Sequence, residues 1–577
     1  MKKLYTKWAE NMDEKHPHRE YPRPQLVRKG WMNLNGEWEY QIVKGEEDTE
    51  PGRWKKILVP FALGTTLSGT EEILQPDETL WYRRTFAWQP GQKRTILHFE
   101  AVDQECTVYL NGFEVGGHKG GYTPFEMDVS QYIKYQNALM VRVKDYSDTD
   151  IYAFGKQRLK TGGIWYTPTA GIWGTVWMEE LPEHAVESLL ITPDYDHARV
   201  HIAIGGTSLQ AKITVSAPDG SFRHDGLTQD GHYTVPMGDF HAWSTEDPFL
   251  YDVKIVTEDD EVSSYFGMRK FSVGRDKGGN VRFMLNDQPL FLSGLLDQGY
   301  TPDGKYTYAT DAGMVEELET VKALGFNMLR KHVKVECRRW YYHCDRMGIL
   351  VMQDMPNGGS TFSFLIHQAL PLGLNIRRLK DDDHERFGRN VSSRKMYMHE
   401  LDEMIETLYN YVSIFAWVPF NEGWGQFDSA KVTEHIKALD HTRLVDSASG
   451  WHDQGCGDFN SRHVYFHAFH VPKKDERILL LSEFGGYAWL ASGHTECDKL
   501  FGYRKYKDRT DYDQAVNNLF EKEILDNVER GLSGCVHTQL ADVETECNGL
   551  LTADRKIVKV DVRKMRKINE RIYRKIQ

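Results

Sequence analysis

Short alternating runs dominate the first half of the chain. In "ALMVRVKDY", Val141 and Val143 alternate with Arg142 and Lys144, which puts the valines on one face of a strand. "CTVYLNGFEVGG" sets Asn111-Gly112 between two strand-like runs, a hairpin signal because both residues tolerate positive φ. "ARVHIAIGG", "AKITVSAPDG" and "LYDVKIVTEDD" repeat short strands at sandwich-like intervals. The Pro-containing stretch "GIWGTVWMEELPEHAV" separates the two groups. The pattern predicts two β-sandwiches, over residues 1–182 and 183–275.

From about residue 276 the period changes. "LDEMIETLYNYV" carries Leu401, Met404, Ile405, Leu408 and Val412 at helical spacing, with "SIFAWVPF" directly after it. Val516, Leu519, Phe520, Ile524 and Val528 repeat that spacing before "SGCVHTQL". The candidate strands are "PLFLSGL", "NMLRK", "ILVMQD", "FAWVPF", "RLVDSAS", "HVYFHAF", "ILLLSEF" and "GCVHTQL". Eight strands with intervening helices in roughly 300 residues is the arithmetic of a (β/α)8 TIM barrel, expected over 276–577. A doubly wound open sheet competes, but it favours a glycine-rich turn after its first strand, and the sequence has none. The charged, weakly periodic segment from Pro356 to about Lys395 is expected to be a long loop on the active-site face.

Composition excludes several partners. A net charge of −13 over 577 residues argues against nucleic acid and anionic membranes. No run approaches the ~20 apolar residues of a spanning helix. The N-terminal "MKKLYTKWAENMDEKHPHRE" has no apolar core of a signal peptide, and seven scattered cysteines form no C-x-x-C pair. A cytoplasmic protein is expected.

A barrel presents its chemistry at the C-terminal ends of its strands, and two ends here carry a carboxylate. Glu422 follows strand four in "WVPFNEGW"; Glu483 closes strand seven in "LLLSEFGG". Carboxylates about 5 Å apart across a barrel mouth suit glycoside cleavage with retention, one attacking the anomeric carbon and the other protonating the leaving oxygen. The division of labour needs different pKa values. Trp417, Phe420 and Trp424 are placed to dry out Glu422 as the acid, and Arg330, ending strand two, to hold Glu483 ionised.

These stretches, with "GWMNLNGEWEY", "WYRRTFAW", "VYLNGFEVGGHKGGYTPFEMDVS", "GIWGTVWME" and "FNMLRKHV", occur in the order found in glycoside hydrolase family 2, and the chain resembles that family nearly end to end. The resemblance implies a jelly-roll sugar-binding domain, an immunoglobulin-like sandwich and a catalytic barrel. It implies Glu422 as acid/base, Glu483 as nucleophile, Asn421 as ligand of the sugar 2-hydroxyl and Arg330 as orienter of the nucleophile, with His332 beside it. The departures bear on substrate. Strand one is followed by Asp297 and Gln298, where the family commonly has an Asn and a His. Strand eight carries Thr538 and Gln539, where a Trp usually floors the sugar site. The Asn-x-Lys-Gly motif of β-glucuronidases is missing, which disfavours a glucuronidase. The last amphipathic stretch is "VRKMRKINERIYRKI", and the further domains of the largest β-galactosidases are not expected.

Other features have plainer readings. His463, His467 and His470 at i, i+4 spacing on a strand stand roughly 13 Å apart, too far for one metal ion, so no metal site is assigned; His467 is placed nearest the substrate. "GGHKGG" lacks the helix of a phosphate loop, and Trp165, Tyr166 and Trp173 read as core or interdomain aromatics. The expectation is an exo-acting retaining glycosidase that needs no cofactor and acts on a β-galactoside; the sequence does not fix its oligomeric state, although the resemblance is to a family many of whose members form homo-oligomers. A β-galactofuranoside or α-L-arabinofuranoside is the alternative. A non-catalytic glycan-binding protein is the reading from another class, although it need not keep both carboxylates. An ester or amide hydrolase would want a G-x-S-x-G elbow, which is absent.

Overall fold

The computed structural model describes residues 2–45, 49, 52–89, 91, 93–207, 209–359, 379–473 and 475–576. Alternation builds the first sandwich. A six-stranded sheet (Lys55–Val59, Gly36–Lys44, Glu78–Ala87, Gln136–Lys144, Glu105–Leu110, Phe113–Lys119) closes on a four-stranded one (Trp31–Asn33, Val176–Leu181, Arg94–Phe99, Phe125–Asp128). Val141 and Val143 are fully buried between the sheets with Val108, Leu97 and Met178. Asn111 and Gly112 turn the hairpin at φ 54° and 87°. In the second sandwich, Val186–Asp194, Arg199–Gly206 and His232–Pro236 pack on Arg223–Leu227, Lys212–Ser216, Tyr251–Val256 and Glu261–Phe266.

Eight parallel strands form the barrel. In chain order they are strand one Leu292–Asp297, two Met328–Lys331, three Leu350–Asp354, four Ile414–Val418, five Leu444–Val445, six Phe459–Val464, seven Ile478–Gly485 and eight Leu532–Thr538. Strands five and six share no ladder; Asp458 joins them, its N–H donating to Val445 O and its carboxylate accepting from Val445 N, both at 2.8 Å. Side-chain parity then separates inside from outside. Leu296, Met328, Met352, Ala416, Val418 and Leu480 share one buried cluster, while Leu295, Leu329, Val351, Trp417 and Leu481 pack with helix residues such as Leu318 and Met404 in another.

Three expectations are corrected here. Helix Val391–Leu408 starts inside the stretch read as loop, capped by the Asn390 side chain on Ser393 N; residues 360–378 of that stretch lie outside the described residues. Strand five is two residues long, and strand six ends at Val464 rather than running on to Phe469. Among the described residues, no helix separates strand five from six or six from seven.

The first sandwich reaches the barrel mouth. Phe154 N and Gly155 N donate to Asn357 O beyond strand three at 2.9 and 3.1 Å. The Tyr166 hydroxyl donates to Glu546, and Thr167 N to Glu544 Oε1 at 3.0 Å, both beyond strand eight. No described helix is long and apolar enough to cross a membrane, and all seven cysteines are unpaired.

Candidate active site

Local backbone aims the two carboxylates. Past strand four, Glu422 N donates to Ser449 O at 2.9 Å and Ser449 N to Phe420 O at 2.8 Å. Glu422 itself has φ 50°, followed by Gly423 at 74°. A left-handed non-glycine residue is uncommon and costs of order 1 kcal/mol, and such conformers concentrate at functional sites. On strand seven, Leu480 points in and Leu481 out, so strict alternation would turn Glu483 outward. Register shifts beside Leu481, against strands six and eight alike, reset the count. A bulge re-aims the side chain, and Glu483 faces Glu422.

One carboxylate oxygen from each glutamate and a ring nitrogen of His463 lie within 4.8 Å of one another. Arg330, fully buried, donates from Nη1 to Glu483 Oε1 at 3.2 Å, from Nη2 to Asn421 Oδ1 at 2.9 Å and from Nε to Asp354 Oδ1 at 2.9 Å. The Tyr465 hydroxyl donates to Glu483 Oε2. His463 Nε2 faces Arg330 Nη1 at 3.4 Å and Ser449 Oγ at 3.0 Å. Because a guanidinium only donates, Nε2 is the acceptor, and the proton resides on Nδ1, 2.8 Å from Glu422 Oε1.

Burial dominates the protonation of this group. It lifts Glu422 to about 7 against the opposing charges of Lys156 and Arg330. It lowers His463 to about 4, so the ring is neutral at neutral pH. Burial also places Glu483 above the ordinary carboxylate value, with the Glu422 charge adding to the rise and Arg330 and Tyr465 opposing it. Arg330 therefore touches Glu483 as expected but does not by itself depress it. Of the two carboxyls, Glu483 has the donors that favour an anion, and Glu422 is the better holder of a proton.

The other predicted residues divide. Asn421 is buried, with Nδ2 lacking a partner among the described residues. His332 Nδ1 meets Asp354 Oδ2 at 2.8 Å, and its ring lies 6.2 Å from that of Trp424. Gln298 Nε2 donates to Gln539 Oε1 at 2.6 Å, and Thr538 Oγ1 is 2.9 Å from the Tyr465 hydroxyl. Four residues are not where expected. Trp417 faces outward, its Nε1 on Asp440 Oδ2 at 3.0 Å, and Phe420 stacks on Tyr397, so Trp424 alone of the three rings stands beside His332. Asp297 also points out of the barrel and spends both oxygens, on Lys331 Nζ at 2.6 Å and Gly299 N at 2.8 Å. His467 is exposed beyond the end of strand six, with Nδ1 3.0 Å from Ala468 O. It is His463 that meets the carboxylates.

His463 and Tyr465 were both passed over as substrate-site residues; their i, i+2 spacing at a strand end was the available signal. Trp165, read as a core or interdomain aromatic, lies 5.1 Å from the Trp424 ring; Lys156, 3.9 Å from Glu546, also comes from the first sandwich and had no local signature. Among the described residues, Glu422, His463 and Glu483 are the one such group whose potential ligand atoms converge. Arg330 already supplies the positive charge beside them, so the donor set suits hydrogen bonding rather than a divalent ion.

A barrel with two facing carboxylates at its mouth and two sandwiches ahead of it is the arrangement that the comparisons with known proteins meet. Residues 279–573 match the TIM barrel domain of glycosyl hydrolases family 2, and residues 69–176 match the sugar binding domain of the same family. The chain belongs to glycosyl hydrolase family 2. It is 27% identical over 311 residues to a beta-galactosidase of Thermoanaerobacter pseudethanolicus, covering 48% of this chain and 39% of that protein. It is 23% identical over 422 residues to a beta-glucuronidase of Streptococcus agalactiae, covering 68% and 66%. The chain spans about half the length of the curated relatives it matches. Its fold is that of a beta-D-glucuronidase from Dictyoglomus thermophilum (TM-score 0.73, 17% identity, 96% of this chain and 98% of that one). A family 2 beta-galacturonidase from Eisenbergiella tayi bound to galacturonate shares it (TM-score 0.69, 19% identity, 95% and 99%).

Proposed function

We propose that this protein is an exo-acting, retaining glycoside hydrolase in which Glu483 is the nucleophile and Glu422 the acid/base, within a catalytic barrel that begins near residue 276. The observation that carries the reading is the convergence of the two carboxylates to within 4.8 Å. That spacing suits direct attack and falls short of the roughly 6.5–9.5 Å that an inverting enzyme keeps for its attacking water. Glu483 forms a bond to the anomeric carbon as the glycosidic C–O bond breaks and Glu422 delivers its proton to the departing oxygen. Ionised Glu422 then takes a proton from water, whose oxygen displaces Glu483. The unpartnered Nδ2 of Asn421 is the donor offered to the sugar 2-hydroxyl, and Arg330 and Tyr465 hold the nucleophile in line.

A β-galactoside is the first substrate, with furanosides the alternative. One observation favours a second reading, a uronide. The charge of Lys156 acts on both Glu422 and His332, and among the described residues its one ion pair is with Glu546 at 3.9 Å. A cation there suits a sugar carboxylate even without the Asn-x-Lys-Gly motif.

Nitrophenyl pyranosides, furanosides and uronides should be assayed together, with Glu483→Ala and Lys156→Met alongside. Cleavage that disappears in Glu483→Ala supports the mechanism. A loss in Lys156→Met confined to uronides selects the second reading. Glycan binding without turnover on any substrate, natural oligosaccharides included, would instead support the non-catalytic alternative.

A further inference from the structure

Strand eight offers no ring to the site. Thr538 ends it, 2% exposed, with its hydroxyl 2.9 Å from that of Tyr465. A ring arrives from elsewhere. Tyr503, in the segment between strand seven and helix Arg509–Leu519, stacks on Tyr465 with centroids 4.1 Å apart and planes 16° apart. Tyr465 donates its hydroxyl to Glu483, so Tyr503 lies one ring thickness from the residue that touches the proposed nucleophile.

The position is built, not incidental. Phe501 N donates to Thr545 O at 2.8 Å, Cys547 N to Phe501 O at 3.3 Å and Tyr503 N to Gly486 O at 2.9 Å, lacing the segment to the ends of strands seven and eight. Gly486 has φ 63°, and a Cβ there would come 2.3 Å from Tyr503 Cδ2, so only glycine lets the ring settle. Phe466 closes its edge at 5.1 Å. Tyr503 nevertheless remains half-buried rather than sealed in, and the charges of Glu422, Glu546 and Glu483 all reach its phenol.

We infer that Tyr503 is a specificity-determining residue whose ring packs against the bound sugar and forms the wall of the site on the strand-eight side. The inference rests on the reading of Glu422 and Glu483 as the catalytic pair. An aromatic face against sugar C–H groups contributes binding through contact area and polarisability, and the ring is what matters.

The test is steady-state kinetics of Tyr503→Leu and Tyr503→Phe on the glycoside that the wild type cleaves best, with melting temperatures measured beside them. The leucine variant is expected to raise KM about tenfold, with kcat and the pH profile little changed. The phenylalanine variant, which keeps the ring, is expected within threefold of wild type. If the leucine variant does not fold, Tyr503→His, which keeps a flat ring on Tyr465, is expected to lie between wild type and a tenfold KM increase. An unchanged KM in the leucine variant (or in the histidine variant read in its place), or a phenylalanine variant as impaired as leucine, overturns the inference. If the wild type is inactive, or Glu483→Ala is fully active, the catalytic reading fails first. A dead Glu483→Ala with an unaffected leucine variant removes only the role of Tyr503.

Discussion

His463 Nδ1 lies 2.8 Å from Glu422 Oε1 and 3.5 Å from Glu483 Oε2. The neutral ring thus gives its one N–H to Glu422, with Glu483 close by, and it favours the ionised form of Glu422. His463→Leu removes that donor, so the Glu422 carboxyl should rise above its value of about 7 and the alkaline limb of kcat/KM should move to higher pH. His463→Asn can keep an N–H near the Nδ1 position and should hold the limb near wild type. A pH–rate series on both variants checks this; equal limbs in all three proteins would remove His463 from the proton balance.

Arg330 binds Glu483, Asn421 and Asp354 at once, with no exposure. Arg330→Met should lower kcat at least about a hundredfold. It should also cost about 3–5 kcal/mol of stability, because buried Asp354 and Glu483 lose their counter-charge. Arg330→Lys should recover little of either, since one ammonium cannot span three partners. Turnover and urea unfolding measured on the same preparations test both halves.

Asp297 and Trp417 face away from the barrel axis, so their substitution should be felt as stability and not as recognition. Asp297→Asn weakens the 2.6 Å pair with Lys331 and should cost roughly 2–4 kcal/mol. Trp417→Phe loses the bond to Asp440 and should cost about 1 kcal/mol. KM for the best glycoside should stay within twofold in both. A large KM effect without destabilisation would return these residues to the sugar site.

Glu400, on helix Val391–Leu408, is 3% exposed; Oε2 accepts from Ala153 N at 3.4 Å and Oε1 has no partner among the described residues. Burial raises its carboxyl to about 8. A folded value above the unfolded one means that this stabilisation is complete below about pH 4.5 and lost as pH rises toward 8. Asp145 and Asp446, each raised by burial to about 7, add to the trend. Glu400→Gln should therefore unfold less readily than wild type at pH 9, by roughly 2–4 kcal/mol, with the gap closing by pH 5. Urea titrations at the two pH values decide it.

Elements whose cause is local were legible in the sequence. Val141 and Val143 face the core because alternation is a two-residue rule, and Asn111-Gly112 turns because of its own φ preferences. Glu422 and Glu483 stood out because each ends a strand, yet Glu483 faces inward only through a register shift beside Leu481, which no run of residue types announces. Trp417 was misplaced for the opposite reason: strict parity, applied to Ala416 and Val418, would have turned it out. Reading strand six to Phe469 drew attention to His467, whereas its true end at Val464 leaves His463 and Tyr465 at the mouth. Lys156, Trp165 and Tyr503 reach the site through contacts between distant segments, and periodicity carries no information about those.

The loop from the first sandwich that delivers Lys156 and Trp165 to the barrel mouth divides the site between two hereditary units. The sandwich contributes groups that would sense the sugar, and it holds none of the carboxylates that would break the bond. Substitutions in that loop should redirect substrate preference, and replacing Lys156, whose charge opposes the rise of the Glu422 carboxyl, should move the proton balance of the chemical step as well. A chimera carrying a relative's sandwich on this barrel would keep this barrel's carboxylates, while exchanging the groups that meet the sugar and the sandwich charge that acts on Glu422.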